Sequence, residues 1–448
     1  MEAITRPSVL IALLLSAGCG GGSENVRVNT GGAGPRTTGG THVSAAASEA
    51  FSDAVQAWRQ SASAGWNQER CESVAEKFKT AAEENQGGRF VEAWFNAGLA
   101  YAQCNQTQGQ AVAMFNKALE VNQNYAPARV QLGLIANREG RSGEAFSSFQ
   151  RAIQGDAQSV EAYVNLAILQ RQRAQGSDLQ EAQQNLRRAL AVDAQYVPAF
   201  NQLALLYLDD AERNPQMLKL ANVVCKQATT IDPNYAPVYN TWGLIRVREG
   251  NIVGALANFE RAFTLNDRFF EAYMNFGSIT LSFRGYEDAK KAFSKAKGLS
   301  PRSYDARIGL GVALRGLDQI EQAEAEYNGA REMDSGRPDS YFNLGLLYQD
   351  YKSGSIPDFQ RAKSYFGDFV SHASGRQAYG SMVEQAQQRM RNIEETIQAL
   401  REAAAIEQQA AQQGGGGGGG AQPPPPAVPA GGRGQPPPPA VPATGRGR

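Results

Sequence analysis

Small and hydrophobic positions recur along the middle of the chain at a fixed interval. Ala236–Phe269 and Phe270–Ser303 fall into register at a shift of 34. Tyr239 aligns with Tyr273, Trp242 with Phe276, Gly243 with Gly277, Ala255 with Ala289, Phe259 with Phe293 and Ala262 with Ala296. Within each unit the spacing is helical. Tyr239, Trp242 and Gly243 share one face of a first helix, and Ala255, Phe259 and Ala262 share one face of a second, where alanine lets two axes approach. Gly250-Asn251 separates the two. A period of this length predicts two-helix units that bury their apolar faces only by stacking on one another.

The register extends in both directions. Units start near Val91, Ala126, Val160, Val197, Ala236, Phe270, Tyr304 and Pro338 and occupy residues 89–376. Their first-helix small residues are Gly98, Gly133, Ala167, Ala204, Gly243, Gly277, Gly311 and Gly345. Their second-helix alanines are Ala111, Ala145, Ala182, Ala221, Ala255, Ala289, Ala323 and Ala362. Insertions around Gly176, Asn214 and Lys352-Ser353-Gly354 lengthen the third, fourth and eighth units. Pro127, Pro198, Pro237 and Pro338 stand in first turns, where a missing N–H costs nothing. A degenerate hairpin over 48–88 precedes the repeats, with Phe51, Val55 and Trp58 on one helix and Ala75, Phe78 and Ala82 on the other. The predicted fold class is all-α, a solenoid.

Both flanks differ in composition. Over 377–412 a polar helix carries Val383, Ala386, Met390, Ile393, Ile397 and Leu400 at alternating spacings of three and four. That pattern serves a cap on the open end of the stack or a short coiled coil to a partner. Residues 413–448 hold a glycine run and two copies of QPPPPAVPA, a polyproline rod that acts as a spacer or a ligand for a proline-binding partner. At the other end, Arg6 and the apolar run Val9–Leu15 lead to Cys19, so residues 1–18 read as an export signal. Residues 19–47, rich in Gly, Ser and Thr, read as a flexible tether.

Lysine plus arginine equal aspartate plus glutamate at 44 each, so no field draws the chain to nucleic acid. His42 and His372 lack ligand neighbours, and no phosphate loop or nucleophile–base pair occurs, so neither catalysis nor a cofactor or metal is expected. In an exported chain three cysteines remain beyond Cys19. Cys71 opens the second helix of the leading hairpin and Cys104 closes the next helix; as antiparallel neighbours these ends meet, which predicts a disulfide. Cys225 replaces an aromatic core residue and is expected as a buried thiol.

The order of aromatic, small and alanine positions at a period of 34 resembles the tetratricopeptide repeat (TPR) over about Val91–Ser371. The resemblance implies a right-handed superhelix whose concave face is lined by first helices and binds peptides. Carried over position by position, the fifth residues are Phe95, Val130, Val164, Asn201, Asn240, Met274, Ile308 and Phe342. The ninth include Leu99, Leu134, Leu205 and Leu244, and the sixth include Asn96, Asn165, Asn275 and Asn343. Lys and Asn at the places that clamp a peptide C-terminal carboxylate are missing. The face reads either as an apolar groove with an amide row or, for some of its aliphatics, as core. Leu15-Ser16-Ala17-Gly18-Cys19 resembles the bacterial lipobox, with Ser16 where leucine is usual and Gly20 favouring the outer membrane; an ordinary secretory signal is the alternative. In overall character the chain is similar to the TPR lipoproteins of the myxobacterial adventurous gliding motility machinery. That likeness implies a periplasmic, outer-membrane-anchored scaffold that binds other envelope proteins. The TPR pilotins of type IV pilus secretins are a second likeness, although shorter and without such a tail. A TPR accessory to a glycan-modifying enzyme is a third possibility of another class.

Overall fold

The computed structural model describes residues 42–413; residues 1–41, with Cys19, and 414–448 lie outside it. Helices carry the described chain and divide it into two compact units that meet in sequence at Asp232 and Pro233.

In the first unit, α1 (Ala45–Ala64) and α2 (Gln68–Glu83) form the leading hairpin. Four more hairpins follow: α3 (Val91–Tyr101) with α4 (Gln108–Val121), α5 (Ala126–Arg138) with α6 (Ser142–Gly155), α7 (Val160–Arg173) with α8 (Asp178–Val192), and α9 (Val197–Asp210) with α10 (Met217–Ile231). The second unit holds α11 (Ala236–Arg248) with α12 (Ile252–Leu265), α13 (Phe270–Ser282) with α14 (Tyr286–Leu299), α15 (Tyr304–Gly316) with α16 (Ile320–Met333), and α17 (Asp339–Asp350) with α18 (Ile356–Ala373). It ends in α19 (Gly380–Gln413). Within each unit a second helix packs on the next first helix, so every hairpin buries its faces against its neighbours.

One packing rule fixes the hairpins. A Cβ added at Gly98, Gly133, Gly243, Gly311 or Gly345 would lie 2.4–2.6 Å from the ring of Phe115, Phe149, Phe259, Tyr327 or Phe366 respectively. Those rings are almost wholly buried, and glycine is what lets the first helix reach them. The third and fourth hairpins have Ala167 and Ala204 at this position, and there the ring's place is taken by the smaller Leu186 and Cys225. All eight second-helix alanines have no exposed surface.

The turns repeat too. Gly140 and Gly250 take φ 76°, and at the same register Arg284 and Asp318 take φ 59° and 61°. The insertion of the third hairpin is closed differently. Ala174 and Gly176 adopt positive φ, and the Asp178 carboxylate, 3% exposed, pairs with Arg173 and accepts from the Gln175 N–H at 2.9 Å. Those interactions hold Asp178 below the usual carboxylate range, the Arg173 hydrogen bond first.

Two features close the ends. Cys71 and Cys104 are joined by a disulfide, Cα–Cα 6.4 Å, which ties α2 to the residues after α3. The Tyr101 hydroxyl donates to Glu76 across the same contact at 2.7 Å. The helix start at Ala45, capped by Ser44, shortens the expected tether by three residues. At the other end α19 runs antiparallel to α18: Met382, Val383, Ala386, Met390, Ile393 and Ile397 join Phe366 and Phe369 in one cluster. Lys363 bonds Glu394 at 2.5 Å. As far as Ile397, then, the seam covers the last hairpin; beyond it Ile406 is 66% exposed. Pro338 proves to be the N-cap of α17 rather than part of its first turn.

Candidate functional site

The first helices offer a face whose chemistry repeats from hairpin to hairpin, and the structure sorts its predicted residues into two classes. Phe95, Asn96, Leu99, Val130, Val164, Asn165, Asn201 and Phe342 are buried, each at most 5% exposed. For the apolar members of this group the groove assignment is corrected: they are core. The reason lies in the turn of helix that carries the fifth position, which faces the second helix of its own hairpin and the next unit. The Phe95 ring lies 5.7 Å from Phe115 and 5.5 Å from Tyr125; Phe342 lies 5.7 Å from Phe366 and 5.0 Å from Phe369. Tilted and edge-on aromatic pairs at such distances belong to interiors.

The second class keeps a half-exposed surface. In the first unit it comprises Leu134 and Leu205; in the second, Asn240, Leu244, Met274, Asn275, Ile308 and Asn343. Aliphatic tips on the second and on the fourth to seventh repeats thus remain partly exposed.

The amides are committed in a particular way. Asn96, Asn165 and Asn343 each donate Nδ2–H to the backbone carbonyl four residues earlier, at 2.7, 2.8 and 2.9 Å. One N–H of each amide is thus held by its own helix, and Asn343 Oδ1 also accepts from Arg315 at 3.2 Å. Asn96 Oδ1 and Gln202 Oε1 are buried without a hydrogen-bond partner among the described residues. Asn275 donates instead to Asn240 Oδ1 at 2.9 Å, which links α13 to α11. Buried acceptors of this kind cost stability unless something donates to them. What the face presents at its surface is partly exposed aliphatic side chains with the partly exposed amides Asn240, Asn275 and Asn343 among them.

One charged residue on this face had not been singled out in the sequence. Arg315, twelfth in α15, is 4% exposed and donates to Asn343 Oδ1 at 3.2 Å. Its signal was available in the register, because Val247 and Leu281 occupy the same position in the two preceding repeats. Elsewhere the charges pair near the surface, as in Arg171–Asp209 at 2.8 Å between α7 and α9. His372 stacks on Tyr341 with centroids 4.9 Å apart, a packing role. No group of His, Cys, Asp and Glu side chains among the described residues is arranged to hold a metal ion. No described helix is long and apolar enough to cross a membrane.

Residues 91–125 match the family described as tetratricopeptide repeat. A search of curated protein sequences gives no match. Among solved structures, a thermophilic TPR protein of Thermus thermophilus is 26% identical, covering 42% of this chain and 99% of its own, with a TM-score of 0.39. Pseudomonas aeruginosa PilF is 18% identical over 52% of this chain and 98% of its own, TM-score 0.40. Yeast Tom70 is 14% identical over 72% of this chain and 67% of its own, TM-score 0.44. The chain is an all-α solenoid of TPR-type hairpins.

Proposed function

We propose that the chain is a non-enzymatic periplasmic scaffold, lipid-anchored through Cys19 to the outer membrane, that holds envelope proteins on its first-helix face and serves a gliding motility complex. The observation that carries the binding role is that Leu134, Leu205 and Leu244 stay partly exposed on first helices, with the partly exposed amide of Asn240 one turn before Leu244. An amphipathic helix or an extended apolar segment supplies both the side chains and, where its backbone is open, the N–H groups. The Cys71–Cys104 disulfide supports an oxidising compartment. The assignment to gliding rests on the likeness stated from the sequence.

Deletion of the gene is expected to mislocalise integral outer-membrane partners and to stop single-cell gliding with pili intact. Loss of assembled secretin with gliding unaffected would move the chain to the pilotins. Unchanged partners in both systems would remove the envelope-machine reading.

A further inference from the structure

A guanidinium taken out of water is ordinarily met by a carboxylate, because its desolvation is otherwise uncompensated. Neighbours of Arg315 obey this: Arg307 pairs with Glu326 at 3.0 Å and Arg337 with Asp305 at 2.6 Å. Arg315 does not. Among the described residues its partners are Asn343 Oδ1, 3.2 Å from Nη1, and the Tyr351 ring, whose centroid lies 6.0 Å from Cζ. With Nη1 engaged, the flat edge formed by Nε and Nη2 remains. That edge presents two parallel N–H groups, the fork that fits a carboxylate. It is not walled off. Nε of Arg171 and of Arg307 are sealed without partners, whereas no nitrogen of Arg315 is.

A second irregularity lies beside it. The second-helix ring position is phenylalanine at Phe115, Phe149, Phe259, Phe293 and Phe366, but tyrosine at Tyr327. Tyr327 is fully buried and its hydroxyl has no hydrogen-bond partner among the described residues. A phenyl ring fills the space, so the hydroxyl only adds the cost of an unmet donor. Burial pushes Tyr327 up to about 12 and raises Tyr351, while the Arg315 charge pulls against both shifts, so the three side chains share one neighbourhood.

We propose that the Nε–Nη2 edge of Arg315, beside the partly exposed Tyr351, binds one glutamate or aspartate side chain of a segment docked on the first-helix face of the second unit. This rests on the reading of that face as a partner-binding surface. A single negative charge fits better than a dianionic phosphate. Asp318 and Asp350 are near enough to disfavour ionisation of Tyr351, and Asp350 is only partly answered by Arg389 at 3.1 Å. Position gives the spacing. Ile308 and Arg315 are seven residues apart on α15, so they share a face and stand about 10 Å apart along it. The bound segment therefore carries an apolar side chain and an acidic one about seven residues apart if helical, or about three apart if extended.

The test uses the full chain on an array of peptides of about fifteen residues tiled from envelope proteins, attached by their C-termini so that only side-chain carboxylates are offered. Wild type is expected to select peptides with that spacing and to lose at least about tenfold in binding when the acid becomes Gln or Asn. Arg315→Gln should erase the difference between acid and amide peptides while still binding the amide set. Tyr327→Phe should leave that difference intact and raise the melting temperature, because it removes only an unmet buried hydroxyl. If Arg315→Gln does not fold by circular dichroism, Arg315→Lys, which keeps the charge and loses the fork, carries the comparison. Equal binding of acid and amide peptides by wild type would overturn the proposal and leave the groove reading standing. An Arg315-dependent preference seen only for peptides attached by their N-termini, with free C-terminal carboxylates, would overturn the side-chain assignment. Failure of wild type to bind any peptide would sink both.

Discussion

The pairing of first-helix glycine with second-helix ring makes a prediction that can be worked through in numbers. In Gly243→Ala the new Cβ would stand 2.4 Å from Phe259 Cε1, about 1 Å short of the roughly 3.5 Å at which carbon atoms rest. Phe259 is fully buried and cannot swing aside, so the hairpin must open. Overpacking of this kind costs about 1–3 kcal/mol. Alanine returns about 1 kcal/mol of helix propensity, leaving a net loss of about 0–2 kcal/mol, with the short contact placing it in the upper half. Phe259→Leu alone leaves space and costs about 1–1.5 kcal/mol. The double variant recreates the pair found at Ala167 and Leu186, so its loss should fall short of the sum by about 1–2 kcal/mol. Hydrogen exchange of α11 and α12 amides reads the local opening free energy without assuming that a solenoid unfolds all at once. Strictly additive losses would refute the account, since the glycine would then matter for something other than the ring.

Three further outcomes follow from the geometry. The disulfide closes a separation of 33 residues, so reducing it should cost about 3–4 kcal/mol in the chain-entropy account and raise exchange in α1–α3, with α13–α18 unchanged. Burial holds the Tyr304, Tyr327 and Tyr379 phenols up to about 12, above the 10 of a free phenol. The folded chain therefore keeps protons that the unfolded chain has lost. Stability should be full below about pH 10 and fall as pH rises toward 12, with phenolate absorbance lagging that of the denatured chain. Labelled fatty acid should enter wild type but not Cys19→Ala, and equal labelling would end the lipoprotein proposal.

The repeat was legible because its signal is redundant. A glycine or alanine and an alanine recur in each repeat, with an aromatic ring between them in six of the eight, and each recurrence marks one contact between two helices. The boundaries followed, so first helices begin at Val91, Ala126 and Val160, where the register puts them. The face was legible only in part, because periodicity gives direction around a helix but not depth. Phe95, Val130, Val164 and Phe342 lie in the same register as the half-buried Ile308, yet they are core, a difference of depth that residue type and periodicity do not carry. The amide row was visible as residue type, but not that Asn96 and Asn165 each spend one N–H on the carbonyl one turn back. Arg315 was hidden for the opposite reason. A lone arginine in a helix ordinarily marks a solvated surface, and only the packing of Asn343 and Tyr351 around it shows otherwise.

The central claim is that partners bind on the first-helix face, and site-specific photo-crosslinking in the native envelope tests it most directly. A photoreactive side chain replaces Leu134 or Leu244 on first helices, or Val253, 82% exposed on the second helix α12. The account predicts discrete crosslinked partners from Leu134 and Leu244, lost when the other of the two leucines becomes Glu while helical content is unchanged, and none from Val253. Crosslinks from Val253 alone would contradict it and move the binding surface to the second helices.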